Sequence, residues 1–413
     1  MSIRRFSTAL AVALLVLLAI STSFAASVSS KRLKNSKSQK ISESSSAQRR
    51  MSRLKHSRTV AVASSKRRKT KRVRTTRRRR YVERFTAKSF TNEDLTIHDV
   101  TAGEDPVVRA AAIEALGNMN GTVVAIDPNS GRILAMVNQQ LALSEGATPC
   151  STIKISVALA ALSEGIVDKD TKVALSRRWK MDMTQALAHS NNAYFEALGR
   201  RLGFEKVSHY AHEYGLGEMA GWNIPGEHLG VYPDEVLPAK LGGVGKMCSF
   251  GESISMTPLQ LGAMVAAVAN GGTLYYLQHP RTSEQVAAFQ PKVKRYLDIA
   301  PLLPNLLPGM QGAVQYGTAR SVRLNFSEED VLGKTGTCSK AGTRFGWFAS
   351  FANTQYGKIV TVVFLEGGRP TYGPKAAEVA GRMYRSLYDH SYFARPTDRQ
   401  IRTVGETVVG APQ

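Results

Sequence analysis

The sequence predicts an α/β (α+β) domain: an antiparallel sheet built from N- and C-terminal strands, flanked by helices, with a mostly helical subdomain inserted. Three observations predict this class. Two β-branched runs lie close together at 122–137, and two more β-rich runs lie at 345–364. Between them, residues 156–270 are mostly helical in pattern with glycine-rich breaks. Distant strand pairs join one sheet only if the intervening segment is an insertion.

The first elements have clear start and stop signals. Asp105-Pro106 can cap a helix over 107–116, which Gly117 would end. The runs 122–126 and 132–137 flank a Pro/Asn/Gly turn and therefore predict a hairpin.

The later elements follow from periodicity. The clearest helical stretches in the middle of the chain are 184–198, 206–214 and 258–269. A Pro-rich region then precedes a second predicted hairpin, with strands 345–351 and 359–364, and a closing helix at 374–388.

Charge is concentrated near the N-terminus. The chain has 413 residues and a formal net charge of +23, yet residues 31–88 hold 23 Lys and Arg against Glu43 and Glu83. Residues 89–413 carry equal numbers of acidic and basic side chains. The basic segment has too few apolar residues to offset the entropy of ordering, so it is predicted to be disordered.

The N-terminus resembles an export signal. Arg4 and Arg5 precede an apolar run over 9–20, and Ser23 and Ala25 have the spacing of a cleavage site. Twelve apolar residues are short for a bilayer span, so we favour a secretory signal over an uncleaved anchor, which stays the alternative. The predicted divisions are a signal or anchor at 1–25, a basic tether at 26–100, a folded domain at 101–390 and a tail at 391–413.

Export decides which partners the tether can meet. An exported polycation encounters anionic lipid head groups or anionic envelope polymers, and not nucleic acid. A solvated tether without a specific partner is the alternative interpretation.

A serine and a lysine three residues apart, Ser151 and Lys154, open a predicted helix. Residues at i and i+3 share one helix face, which suits a serine nucleophile deprotonated by a lysine. The pattern alone is not specific, since Ser52 and Lys55 repeat it inside the basic segment.

Two further motifs make the Ser151–Lys154 pattern specific. Ser190-x-Asn192 and Lys334-Thr335-Gly336-Thr337 follow it in that order. Over about 105–390, the chain therefore resembles the transpeptidase domain of penicillin-binding proteins, in the superfamily of active-serine D,D-peptidases and serine β-lactamases. The segments 251–261 and 314–319 also resemble that family, and 251–261 favours transpeptidases over β-lactamases.

The resemblance implies a role for the residues at each motif. Ser151 would attack the carbonyl of a D-Ala-D-Ala bond, Lys154 would be the neutral base, and Ser190 would relay the proton to the leaving amine. Asn192 would bind the substrate backbone. The active site would lie between the sheet domain and the helical subdomain.

The third motif would bind the other end of the substrate. Lys334, with Thr335 and Thr337 in the Lys-Thr-Gly-Thr segment that includes Gly336, would hold the terminal carboxylate. Backbone N–H groups of Ser151 and Thr337 would form the oxyanion hole.

The implied function is that of an exported D,D-transpeptidase of the cell envelope, in the periplasm or at the outer face of the cytoplasmic membrane. It would cross-link peptidoglycan stem peptides through an acyl-serine, react with β-lactams, and need no metal or other cofactor. A glycosyltransferase would act separately. The alternatives are a D,D-carboxypeptidase or β-lactamase with the same chemistry, or a non-catalytic envelope-binding module.

Two of the three cysteines flank this predicted site. Cys150 precedes the nucleophile and Cys338 follows Thr337. We favour separate burial of the two as small apolar side chains, with a redox-sensitive bridge as the alternative.

Overall fold

The computed structural model describes residues 86–354 and 357–394, which lie within one of the two compact units of the chain, Arg80–Gln413. The predicted signal, nearly all of the predicted disordered segment and the tail beyond residue 394 lie outside the described residues. Within the described ranges, no helix is long and apolar enough to cross a bilayer.

The strands of the described ranges fall into three antiparallel groups: β1 (Gly121–Ile126), β2 (Ile133–Val137), β7 (Asp330–Lys340), β8 (Thr343–Thr354) and β9 (Gly357–Gly367) in the main sheet, and the pairs β3 (Val173–Ser176) with β4 (Trp179–Met181) and β5 (Thr273–Tyr275) with β6 (Val293–Tyr296).

The α-helices of the described ranges are α1 (Pro106–Leu116), α2 (Gln139–Ala142), α3 (Lys154–Ser163), α4 (Met183–Ala188), α5 (Asn192–Leu202), α6 (Phe204–Glu213), α7 (Gly243–Phe250), α8 (Pro258–Asn270), α9 (Ser283–Ala287), α10 (Leu303–Gln315) and α11 (Gly373–Asp389).

The predicted sheet from both ends of the domain is confirmed. Its strand order is β2-β1-β9-β8-β7, so the N-terminal hairpin pairs directly with the last strand. Val123 lies opposite Val137 on one side and Val363 on the other. The predicted mixed α/β fold is also confirmed. Helices pack on both faces of the sheet, and most of the helical segments lie between β2 and β7 in the chain.

Side chains of the sheet alternate between two cores. Trp347 belongs to the core that contains side chains of α3 and α8, while the adjacent Phe348 belongs to the core that contains side chains of α1 and α11. This is the period of two expected for a strand buried on both faces. α8 lies at the centre of the larger core, and Thr257 and Gln260 form a capping box at its start. The Thr-Pro-x-Gln sequence therefore has a structural role.

Several boundaries differ from the prediction. Residues 184–198 form two helices, α4 and α5, and not one. β7 was not predicted as a strand, and β8 and β9 extend beyond the predicted runs. The folded unit also begins before residue 101: Phe90 and Leu95 pack on the core of α1 and α11, and the Ser89 hydroxyl lies 3.0 Å from that of Thr371. Phe90 and Leu95 come directly after the basic segment, which ends at residue 88.

Candidate active site

The predicted nucleophile lies in a tight turn, since Cys150–Ile153 is a 3-10 helix and α3 begins only at Lys154. The sequence predicted one continuous helix here. In a 3-10 helix, side chains at i and i+3 lie directly above one another, so those of Ser151 and Lys154 are on the same face of the turn. Their side chains meet, with Lys154 Nζ donating to Ser151 Oγ at 2.8 Å.

Lys154 is fully buried and surrounded by oxygen atoms. Its Nζ lies 2.6 Å from Asn192 Oδ1, 3.0 Å from the Ser190 carbonyl oxygen and 3.2 Å from Ser190 Oγ. The ring of Phe195 lies below it at 5.5 Å. The amine is therefore held on the second predicted motif as well as on the nucleophile.

Ser190 breaks the helix that the sequence predicted over 184–198. It has a positive φ of 55°, and α5 restarts behind Asn191, whose side chain accepts a hydrogen bond from Tyr194 N. This left-handed backbone turns the Ser190 hydroxyl into the cleft. There Lys334 Nζ donates to Ser190 Oγ at 2.8 Å, so one hydroxyl lies between two lysines.

The pKa values of both lysines are lower than that of an ordinary lysine side chain. Burial, and then the ammonium of Lys334, lowers the pKa of Lys154 to about 6, although Glu196 acts in the opposite direction. Burial lowers the pKa of Lys334 to about 7. Desolvation disfavours the charged form of any amine, and a neighbouring cation does so further. Lys154 can therefore be neutral at pH 7, as a general base must be.

The third motif lies on β7, the edge strand nearest to the nucleophile turn. The hydroxyls of Thr335 and Thr318 lie 2.7 Å apart, and Thr337 Oγ1 accepts a hydrogen bond from Gly373 N at 2.8 Å. Lys334 is buried, whereas Thr337 is exposed. Because β7 pairs only with β8, alternate backbone N–H groups of this strand point away from the sheet.

Gly336 allows β7 to approach the nucleophile turn. A Cβ atom at this position would lie 2.9 Å from the Pro149 carbonyl oxygen and 3.2 Å from Thr152 Cγ2. Neither a backbone oxygen nor a branched side chain in a tight turn can yield easily. The glycine is therefore required for the close packing of the two elements.

We expect Gly336→Ala to push β7 away from the turn and to lower stability by about 1–3 kcal/mol, as overpacking does. Reaction of a penicillin with the predicted nucleophile Ser151 should slow in parallel, because the two halves of the site separate. Urea unfolding and penicillin acylation rates measure the two effects. Ser339→Ala, at an exposed position of the same strand, is the control; equal effects of both substitutions would contradict the packing argument.

The structure brings the eight sequence-predicted residues together where the nucleophile turn, the start of α5 and β7 meet, but it also adds residues that sequence reasoning missed. Thr318 supports Thr335, and Glu196 lies near enough to Lys154 to influence its pKa. Thr318 belongs to the 314–319 segment, which was assigned to the family but not to the site. Glu196 lies one helical turn after Asn192, a spacing that places both on one face of α5.

The favoured interpretation of the cysteines was wrong. Cys150 and Cys338 form a disulfide, with Cα atoms 5.6 Å apart, and Cys248 alone is a free buried thiol among the described residues. The close packing at Gly336 explains the pairing, since it places β7 directly beside the nucleophile turn. Trp347 Nε1 also donates to the Thr148 carbonyl oxygen at 3.0 Å, so the turn is fixed to the sheet at two points.

Comparison with known proteins identifies the family of this domain. The family model described as the penicillin binding protein transpeptidase domain matches residues 121–385. Stage V sporulation protein D of Bacillus subtilis is 28% identical over 315 residues, covering 63% of this chain and 48% of that protein. Peptidoglycan D,D-transpeptidase MrdA of Acinetobacter baumannii is 24% identical over 384 residues, covering 74% of this chain and 56% of that protein. The chain thus spans about half the length of these relatives.

Among solved structures, the crystal structure of Pseudomonas aeruginosa PBP2 in complex with WCK 5153 superposes with a TM-score of 0.60. It is 23% identical, and the match covers 71% of this chain and 81% of the other. At this identity the similarity shows the fold.

Proposed function

The chain belongs to the family defined by the penicillin-binding protein transpeptidase domain, and we propose that it is a serine D,D-transpeptidase that cross-links peptidoglycan stem peptides. The reaction would take place through an acyl-serine intermediate. The names of its relatives, which include peptidoglycan D,D-transpeptidases, support the assignment to this activity.

One observation carries the proposal: a buried lysine with a lowered pKa lies 2.8 Å from a serine hydroxyl. A surface lysine would stay protonated near its ordinary pKa of about 10.4 and could not accept the serine proton. Activated nucleophiles are recognised by such a base within hydrogen-bond reach.

In the proposed acylation step, neutral Lys154 takes the proton of Ser151 as Oγ attacks the carbonyl carbon of the penultimate D-Ala. Ser151 is the second residue of its 3-10 helix, so its N–H lies outside the helical hydrogen bonds and can stabilise the oxyanion together with Thr337 N–H. Ser190 Oγ touches both amines and would pass the proton to the departing D-Ala nitrogen. The C–N bond breaks as the acyl-enzyme forms.

Substrate binding would use the other groups of the cleft. Lys334, together with the hydroxyls of Thr335 and Thr337, would bind the terminal carboxylate, and an arriving anion favours the charged form of the lysine. Asn192 would hydrogen-bond the peptide backbone through its amide NH₂, because its Oδ1 accepts from Lys154. Gly336, which has no side chain, would let the backbone of β7 lie close to the substrate. In the second step, an acceptor amine replaces D-Ala and the proton transfers run in reverse.

The setting of the reaction is also part of the proposal. The relatives act on peptidoglycan by name, which supports a place in the cell envelope. We propose export by the N-terminal segment, a basic tether that meets anionic lipid or envelope polymer, and a glycosyltransferase supplied by another protein.

The experiment that tests the function supplies a donor peptide ending in D-Ala-D-Ala, with and without a D-amino acid as acceptor. A transpeptidase should release D-Ala and form the exchanged peptide in proportion to the acceptor. Release of D-Ala with no exchanged product would identify a D,D-carboxypeptidase. Fast turnover of a penicillin without a lasting adduct would identify a β-lactamase, and no reaction with either would leave a non-catalytic module.

The two lysines predict a bell-shaped pH profile for kcat/KM of penicillin acylation. Lys154, with a pKa lowered to about 6, is protonated below that pH, so the rate should fall about tenfold per unit on the acid side. Lys334, with a pKa lowered to about 7, loses its charge above that pH and with it the attraction for the carboxylate. Fluorescent penicillin labelling across pH 4–10 measures the profile. A rate that still rises about tenfold per unit between pH 8 and 10, as an ordinary lysine pKa of about 10.4 would give, would contradict it.

A further inference from the structure

A second groove lies at the opposite edge of the main sheet from the active site. Gln278 extends that edge beyond β2. It forms an isolated β-bridge with Arg132, and its carbonyl oxygen accepts a hydrogen bond from Ile133 N. The groove beyond them has a volume of about 620 Å³ and is open to solvent. The sheet order places it about 20 Å or more from β7, at nearly 5 Å per strand.

The floor of this groove is an aromatic side chain on a fixed backbone. Trp222 is 44% exposed, and its ring meets Tyr276 edge-on at 5.2 Å. Trp222 N donates to the Leu277 carbonyl oxygen at 2.7 Å. The preceding Gly221 N donates to the half-buried carboxylate of Glu227, which holds the loop. A large aromatic ring that is half-exposed on a loop fixed by hydrogen bonds provides a preformed surface for a ligand.

The polar groups around Trp222 are donors with unused capacity. Lys292 Nζ lies 4.6 Å from the Trp222 ring centre. Within the described ranges, the Arg281 guanidinium and the Asn223 amide make no side-chain hydrogen bond or ion pair, and no acidic residue lines the groove. The site thus offers an aromatic face, an amide and two cations to a ligand rich in oxygen acceptors.

A sugar chain has this combination of properties. Each pyranose ring has an apolar C–H face that can pack on an indole, and its rim carries hydroxyl and acetamido oxygens that accept hydrogen bonds. Carboxylates on peptides attached to such a chain would complement Arg281 and Lys292. The distance from β7 excludes the reacting dipeptide itself, because two residues span only about 7 Å.

We propose that this groove, which we call the Trp222 groove, binds the N-acetylated amino-sugar strand of the polymer whose peptide enters the active site. The inference rests on the proposed function for the identity of the polymer. It assigns the groove a positioning role: the glycan is held at one edge of the sheet while its peptide reaches the other. Trp222 is then a binding residue remote from the reacting bond.

Isothermal titration calorimetry of the full chain with chitopentaose, a peptide-free β-1,4 chain of N-acetylglucosamine, tests the proposal. We expect saturable binding that Trp222→Ala weakens about tenfold or more, as loss of an aromatic anchor does. Trp179→Ala is the matched control, because Trp179 is 48% exposed on the β3–β4 hairpin; it should change the affinity less than about twofold. Cellopentaose, which lacks acetamido groups, should bind more weakly than chitopentaose.

Penicillin acylation of the same samples separates this inference from the proposed function. Trp222→Ala should be acylated at the wild-type rate, which also shows that the variant is folded. Chitopentaose binding that is absent from the wild type, or equal in wild type and Trp222→Ala, would overturn the glycan site while acylation still stood. Failure of acylation in the wild type would instead remove the transpeptidase assignment.

Discussion

Replacing Ser151 with alanine is expected to reduce acylation by a fluorescent penicillin to background, below about one thousandth of the wild-type rate. The substitution removes the only atom of the cleft that forms the acyl bond in the proposed reaction. Lys154 keeps its contacts with Ser190 and Asn192, so the variant should stay folded. Gel fluorescence and intact mass measure the adduct.

The chain contains its own control for this experiment. Ser52 and Lys55 repeat the spacing of the nucleophile and base within the basic segment, so Ser52→Ala should be labelled like the wild type. Equal labelling of Ser151→Ala and wild type would remove the nucleophile assignment. Lys154→Met should behave like Ser151→Ala at pH 7, because Lys154 is the amine that contacts the Ser151 hydroxyl, whereas Lys334 contacts Ser190 instead.

Removing the disulfide should have the largest effect on stability. Cys150 and Cys338 are separated by 188 residues, and a cross-link that closes so long a loop restricts the unfolded chain strongly. We expect the double substitution Cys150→Ala/Cys338→Ala to lower the free energy of unfolding by about 2–5 kcal/mol. Acylation should slow by about tenfold to a hundredfold, because the nucleophile turn loses one of its attachments to the sheet.

Reduction provides the matching control. Wild-type protein treated with a phosphine reductant should acquire the stability and acylation rate of the double variant, whereas the double variant should not respond to it. The buried Cys248 is present in both, so it cannot account for the difference. A wild type that keeps its full stability and rate after mass spectrometry shows complete reduction would contradict a structural role for the bridge.

The sequence was informative where local pattern and tertiary structure agree. Both hairpins, the capped helix α1 and the closing helix have alternation or start and stop signals that survive in the fold. The ordered motifs likewise located a cleft, because each is a short segment whose chemistry needs neighbours of one type. These features required no knowledge of which distant segments meet.

Prediction failed where distant contacts decide the conformation. The helix predicted over 184–198 runs through Ser190, but the hydroxyl and carbonyl oxygen of this residue contact two buried lysines, and this favours the left-handed turn. Asn191, a good N-cap residue, was the one local signal of the break. β7 lacks a run of β-branched residues because Gly336 must pass close to the nucleophile turn, and the disulfide follows from that same contact.

The pairing of β1 with β9 also constrains the order in which the domain can form during synthesis. Gly121 lies opposite Leu365, about 240 residues later, so the central ladder cannot close until nearly all of the domain has emerged. Until then the apolar edge of β1 lacks its partner and is exposed to wrong pairing. For a chain exported as proposed above, this delay would be useful, because a polypeptide that has not yet closed its sheet can still pass through a membrane channel in extended form.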